Sequence, residues 1–171
     1  MKPSRRLKRA ICAVAMLAAG FAIAGCADTA KPESELTGKY GPATPGSSRD
    51  FAVNVGDIVY FSTDSSDLSP ESQQTLIKQA RWLQRYSQHS ITIEGHADER
   101  GTREYNIALG ARRATAVRNF LAQQGISPAR IRTISYGKER PVAVCNDISC
   151  WSQNRRAQTV LNGGGHHEAR S

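Results

Sequence analysis

The sequence predicts an α+β two-layer sandwich, an α/β fold in which a mixed four-stranded sheet carries two helices on one face. Three observations lead there. Apolar patterning gives the element order β-α-β-α-β-β across residues 51–162. Two helices of this length cover only one face of a four-stranded sheet. The last strand arrives by a loop without a full crossover helix, so part of the sheet has to be antiparallel.

The first strand lies within FAVNVGDIVYF, with Ile58, Val59, Tyr60 and Phe61 its most apolar part. Residues 62–67 have turn composition. Ser69 then stands before Pro70 and Glu71, the arrangement of an N-cap with proline at the first helical position. Leu76, Ile77, Ala80 and Leu83 form the apolar stripe of a helix that runs to about Ser87. Strand alternation returns in Ile91, Thr92, Ile93 and Glu94 and breaks at Gly95. A polar turn, 96–101, leads into a second helix with a stripe at Ile107, Gly110, Ala114, Val117 and Leu121. Gly125 supplies a left-handed cap residue, and Ile126 folds back on the last turn. A short helical turn at 127–130 precedes a third strand, 131–136, closed by Gly137. Residues 138–153 read as a loop and 156–161 as the last strand.

Outside this domain the chain has three other parts. Residues 1–25 have a cationic start and an apolar run, 10–24, too short to span a bilayer comfortably. That is signal-peptide composition. The sequence Ile23, Ala24, Gly25, Cys26 resembles the lipobox of bacterial lipoproteins; a plain signal peptide with a chance cysteine and an uncleaved anchor are the alternatives. The lipobox implies acylation of Cys26 as the new N-terminus. Three acyl chains, at about 0.8 kcal/mol per buried methylene, make such an anchor essentially permanent. Ala27 follows in place of the aspartate that signals inner-membrane retention, which points to outer-membrane lipid. Residues 26–50 are rich in Pro, Gly, Ser and Thr without apolar periodicity and read as a flexible tether. The tail, 163–171, is expected to be disordered, its His166 and His167 incidental.

Charge excludes one function class. The formal net charge is +8, but Lys2, Arg5, Arg6, Lys8 and Arg9 supply five of it within residues 1–25, which hold no acid, leaving +3. A mildly basic chain without a clustered basic face does not read as a nucleic-acid binder, and its few aromatic rings do not interleave with cations. Cys145 and Cys150 stand close together near the C-terminus. In an exported protein a disulfide is the default reading, whereas zinc would need two further ligands that are not nearby.

The segments GHADERGTREYNIALGARRATAV, SYGKERPV and NRRAQTVL resemble, in this order, the OmpA-like peptidoglycan-binding family, and the resemblance covers about residues 51–161. It implies a domain that binds the diaminopimelate of the peptide stem without covalent chemistry and without a cofactor. Asp98 matches the aspartate that holds the ligand's ammonium group. Arg113, fifteen positions on, matches the arginine that pairs with its carboxylate. Asn106 matches a polar residue of the same pocket, Ala97 and Leu109 line its wall, and Thr63 and Asp64 stand in the first loop, where this sequence departs from the family's pattern. The resemblance also implies the Tol system as partner, particularly the periplasmic protein TolB, and a part in outer-membrane constriction during division.

The residue chemistry is sensible by itself. Diaminopimelate is a zwitterion at its free end, and a fixed anion and a fixed cation recognise it together; the planar fork of arginine suits a carboxylate. Positions 106, 109 and 113 share one helical face. From composition alone, however, Arg112, Arg113 and Arg118 read as a solvated helix face, and Asp98 as a loop carboxylate capping an amide. Arg155 and Arg156 read as supporting residues beside the pocket, and His96 as a structural hydrogen-bonding residue. Catalysis is not expected: a hydrolase would need a carboxylate pair of Asp98 with Glu94 or Glu99, and no cleft-forming second lobe is available.

Overall fold

The computed structural model describes residues 43–162. The expected signal peptide, the acylation site Cys26, most of the tether and the tail lie outside the described residues. The strands are β1 (Ile58–Tyr60), β2 (Ser90–His96), β3 (Ile131–Gly137) and β4 (Arg156–Asn162), and the longer helices are α1 (Pro70–Arg85), α2 (Arg103–Gln123) and α3 (Ile148–Asn154). The sheet order is β1-β4-β2-β3. β4 lies antiparallel to both β1 and β2, and β2 pairs parallel with β3. The sheet is mixed: α2 crosses over and returns the chain so that β3 lies parallel to β2, whereas the link into β4, with only the short α3 in it, brings the chain back antiparallel.

Local chemistry sets the helix ends where the sequence places them. Ser69 Oγ accepts from the Ser72 N–H at 3.2 Å, and Thr102 Oγ1 accepts from the Tyr105 N–H at 3.2 Å, each satisfying an N-terminal donor that the helix itself cannot. Gly125 is left-handed at φ +92°, and the Ile126 N–H donates to the Leu121 carbonyl at 3.1 Å. Leu76 and Leu83 of α1 and Ala114, Val117 and Leu121 of α2 bury against Ile91, Ile93, Ile131 and Ala157 of the sheet. On the other face Tyr60 and Ile134 are exposed.

Two segments depart from the sequence expectation. Ahead of β1 the chain forms a helical turn, Ser48–Asp50, which continues as a π-helical turn, Phe51–Val55. Phe51 is buried against Trp82 with ring centroids 4.9 Å apart, and Trp82 Nε1 donates to Asp50 Oδ2 at 2.8 Å. The expected boundary between tether and domain at residue 50 therefore falls inside a packed element. The stretch 138–153, read as loop, contains α3. Seven residues make fewer than two helical turns, too few for a periodic signal; its start is marked only by Asp147, whose carboxylate accepts from the Ser149 N–H at 2.7 Å.

Candidate functional site

The site is built where β2 ends against α2. The parallel register of β2 and β3 shifts between Gly95 and His96, and the chain leaves the sheet there into the loop that carries Asp98. On the opposing helix, Gly110 lets α2 approach β2 at backbone distance. Asn106 and Arg113, one turn to either side of Gly110, are thereby brought beside the loop.

Asp98 is 7% exposed and lies between two guanidinium groups. Arg100 binds it bidentately, Nε to Oδ1 at 3.2 Å and Nη2 to Oδ2 at 2.7 Å, and the Arg100 N–H donates to Oδ1 at 3.2 Å. Arg155 Nη1 is 3.5 Å from Oδ2. Burial pushes the Asp98 carboxyl up, but the hydrogen bonds and charge of Arg100, with Arg155 behind, overcome it and hold the group below the usual carboxylate range. Asp98 is a fixed anion at neutral pH.

Arg113 is fully buried. Its Nε donates to the Ser65 carbonyl at 2.9 Å, Nη1 to the His96 carbonyl at 2.7 Å and Nη2 to the Ser62 carbonyl at 3.1 Å. Burial, and next the charge of Arg155, bring its pKa down to about 10, so it remains a cation at neutral pH. Arg112, its neighbour, is exposed. The solvated-face reading holds for Arg112 and fails for Arg113.

Asp98, Asn106, Leu109, Arg113, Thr63 and Asp64 line one cleft of about 250 Å³. Six of the expected residues thus come together from three separate segments. Asn106 is buried and uses its amide to hold the loop, Nδ2 donating to the Arg100 carbonyl at 2.7 Å. Ala97 is buried, its N–H donating to the Gly137 carbonyl at 2.8 Å, and this bond ties the loop to the end of β3. Asp64 has a left-handed backbone, φ +54°, which aspartate tolerates better than most residues, and its carboxylate accepts from the Tyr105 hydroxyl.

Sequence reasoning passed over Arg100, Gly101 and Tyr105, which also line the cleft. Their only signal was position: they surround Asn106 on the approach to α2. The two arginines of the late motif part company. Arg155 faces Asp98 and donates from Nε to the Phe61 carbonyl at 3.1 Å, whereas the Arg156 side chain, on β4, donates to the Arg140 carbonyl at 3.4 Å. His96 corrects its expectation. Among the described residues neither ring nitrogen has a hydrogen-bond partner; the backbone carbonyl makes the structural bond, accepting from Arg113. Burial, then the charges of Arg156 and Arg140, push the ring pKa down to about 4. Cys145 and Cys150 form a disulfide with Cα atoms 5.7 Å apart.

An ionised carboxylate and the guanidinium groups of Arg100 and Arg113 thus line the same cleft. Residues 60–160 match the OmpA family. The peptidoglycan-associated lipoprotein of Agrobacterium fabrum is 60% identical over 169 residues, covering 96% of this chain and 95% of the relative. That of Brucella melitensis is 58% identical over 168 residues, covering 96% and 99%. Among solved structures, the peptidoglycan-associated lipoprotein from Burkholderia pseudomallei superposes with a TM-score of 0.63 at 40% identity, over 67% of this chain and 98% of that one. The C-terminal domain of Helicobacter pylori MotB, 22% identical with a TM-score of 0.59 over 63% of this chain and 85% of that one, shares the fold.

Proposed function

Because the chain belongs to the OmpA family and, within it, to the peptidoglycan-associated lipoproteins, we propose that its cleft binds the diaminopimelate of the peptidoglycan stem and that it tethers the outer membrane to the wall. The observation that carries this reading is the juxtaposition of Asp98 and Arg113 on one small cleft. A ligand ammonium takes the Asp98 carboxylate, displacing Arg100, while the ligand carboxylate meets the guanidinium edge that Arg113 and the freed Arg100 present. Arg113 has five N–H donors and gives three of them hydrogen bonds to backbone carbonyls, which fixes its orientation before any ligand arrives. Preorganisation of this kind lowers the cost of binding.

In this reading Cys26 is acylated and held in outer-membrane lipid, residues 26–50 include the tether, and the domain faces the periplasm. The Tol system, through TolB, is the proposed protein partner, and envelope constriction at division the proposed setting. The protein acts by holding, without catalysis.

The test is sedimentation with isolated cell-wall sacculi, with free diaminopimelate as competitor. Wild type co-sediments and is released by the competitor; Asp98→Asn loses most binding, because the ligand ammonium then lacks its counter-charge. One observation favours a second reading, a domain that binds only protein partners: Asp98 already has two internal cations. Failure of the wild type itself to sediment would establish that reading, and sedimentation of Asp98→Asn at the wild-type level would show that the wall is not held through Asp98. Release of soluble muropeptides by the purified protein would instead make it a hydrolase.

A further inference from the structure

Arg100 does not meet Asp98 unaided. Its guanidinium carbon lies 4.3 Å from the centroid of the Trp151 ring, so the side chain is held between a carboxylate on one side and an aromatic face on the other. Trp151 is tied to the same loop a second time, its Nε1 donating to Glu99 Oε1 at 3.0 Å. Lys138 closes the loop from behind, donating to the carbonyls of Glu99 at 3.2 Å and Gly101 at 2.7 Å.

The position of Trp151 is itself imposed. It sits on α3, seven residues long, and a helix of that length has no stability of its own in water. Two staples hold it. The Cys145–Cys150 disulfide joins the preceding loop to the residue next to Trp151. At the far end Asn154 accepts from the N–H groups of Val142 at 2.8 Å and Ala143 at 3.2 Å and donates to the Ala143 carbonyl at 2.7 Å. These contacts lie outside the cleft, and its lining has no use for them.

We propose that Trp151, carried by the disulfide-stapled helix α3, is a positioning residue that keeps Arg100 on Asp98 and so lowers the affinity of the cleft for a ligand ammonium. This rests on the reading of Asp98 as the seat of that ammonium. Arg100 is the cation that the ligand must displace, and every contact that stabilises Arg100 in place counts against binding. Half-exposed Arg100 makes the effect modest.

The experiment is calorimetric titration of the full chain, in detergent, with meso-diaminopimelate. Trp151→Leu should bind about two- to five-fold tighter, the factor expected for an exposed cation–π contact. Trp151→Phe, which retains a ring face, should lie closer to wild type. Cys145→Ser with Cys150→Ser should shift in the same direction as Trp151→Leu. In an Arg100→Gln background Trp151→Leu should change nothing, a cycle that a merely structural role would not satisfy. Unchanged or weaker binding by Trp151→Leu, or an effect that persists without Arg100, overturns the proposal. If Asp98→Asn loses binding while Trp151→Leu matches wild type, the positioning role alone falls. If Asp98→Asn binds as wild type does, the pocket reading falls and takes this one with it.

Discussion

Gly95 and Gly110 meet backbone to backbone where β2 passes under α2. A Cβ on Gly95 would lie 1.9 Å from the Gly110 carbonyl oxygen, and one on Gly110 would lie 2.4 Å from Ser135 Oγ and 2.8 Å from the Gly95 carbonyl oxygen. This contact sets the depth of the cleft, because Asn106 and Arg113 are one turn away on either side.

Gly95→Ala should therefore cost about 3 kcal/mol or more, since the clash is with backbone that has nowhere to go. Gly110→Ala, whose nearest obstacle is a serine side chain, should cost about 1–3 kcal/mol. Urea unfolding of each variant, at unchanged slope, measures the difference.

Arg113→Ala should lose stability as well as sacculus binding. Three carbonyls, those of Ser62, Ser65 and His96, lose their donor, at about 1–3 kcal/mol for each left buried and unpaired. Arg113→Lys should not rescue, because one ammonium cannot reach all three carbonyls as the planar fork does. A melting curve run beside the binding assay separates this from Asp98→Asn, which should lose binding with a far smaller change in stability.

Stability should fall between pH 6.5 and about 4 in a way traceable to His96. Its folded pKa is depressed from 6.5 to about 4, so across this window the unfolded chain binds the proton and the fold does not. The contribution is complete above the unfolded pKa and is lost as pH falls, to at most about 3 kcal/mol. His96→Phe should flatten the urea midpoint over this range relative to wild type. A parallel decline in both proteins would show that other groups control it.

Reduction of Cys145–Cys150 should lower global stability by no more than about 2 kcal/mol, because the bridge closes a loop of only a few residues. Hydrogen exchange should show the loss concentrated in residues 141–154. A uniform loss across α1 and α2 would mean that the bridge supports the whole domain.

Most of the fold was legible because long elements repeat their pattern. α1 announced itself by Ser69, Pro70 and the Leu76–Leu83 stripe, and α2 by its stripe and the Gly125 stop. α3 and the turn at Phe51–Val55 were not legible, since each makes fewer than two turns and is held by contacts outside itself, the turn to Trp82 and α3 to residues 142–145 through Asn154 and the disulfide. In the site, charge type was readable and charge environment was not. Arg112 and Arg113 are identical in composition; one faces water and the other is the cation at the floor of the cleft.

The sequence alone determined the order of the four strands and two long helices and the mixed sheet, because periodicity and caps are local properties of the chain, and its resemblance to the OmpA-like family supplied a shortlist containing Asp98, Asn106 and Arg113. Only the tertiary structure decided that Asp98 is covered by Arg100 and backed by Arg155, that Arg113 is anchored on three carbonyls, and that Trp151 reaches the pocket loop from the far side of a disulfide. The reason is physical. Burial and pairing depend on which distant segments converge, and the convergence here turns on two glycines whose lack of a side chain lets a helix rest directly on a strand.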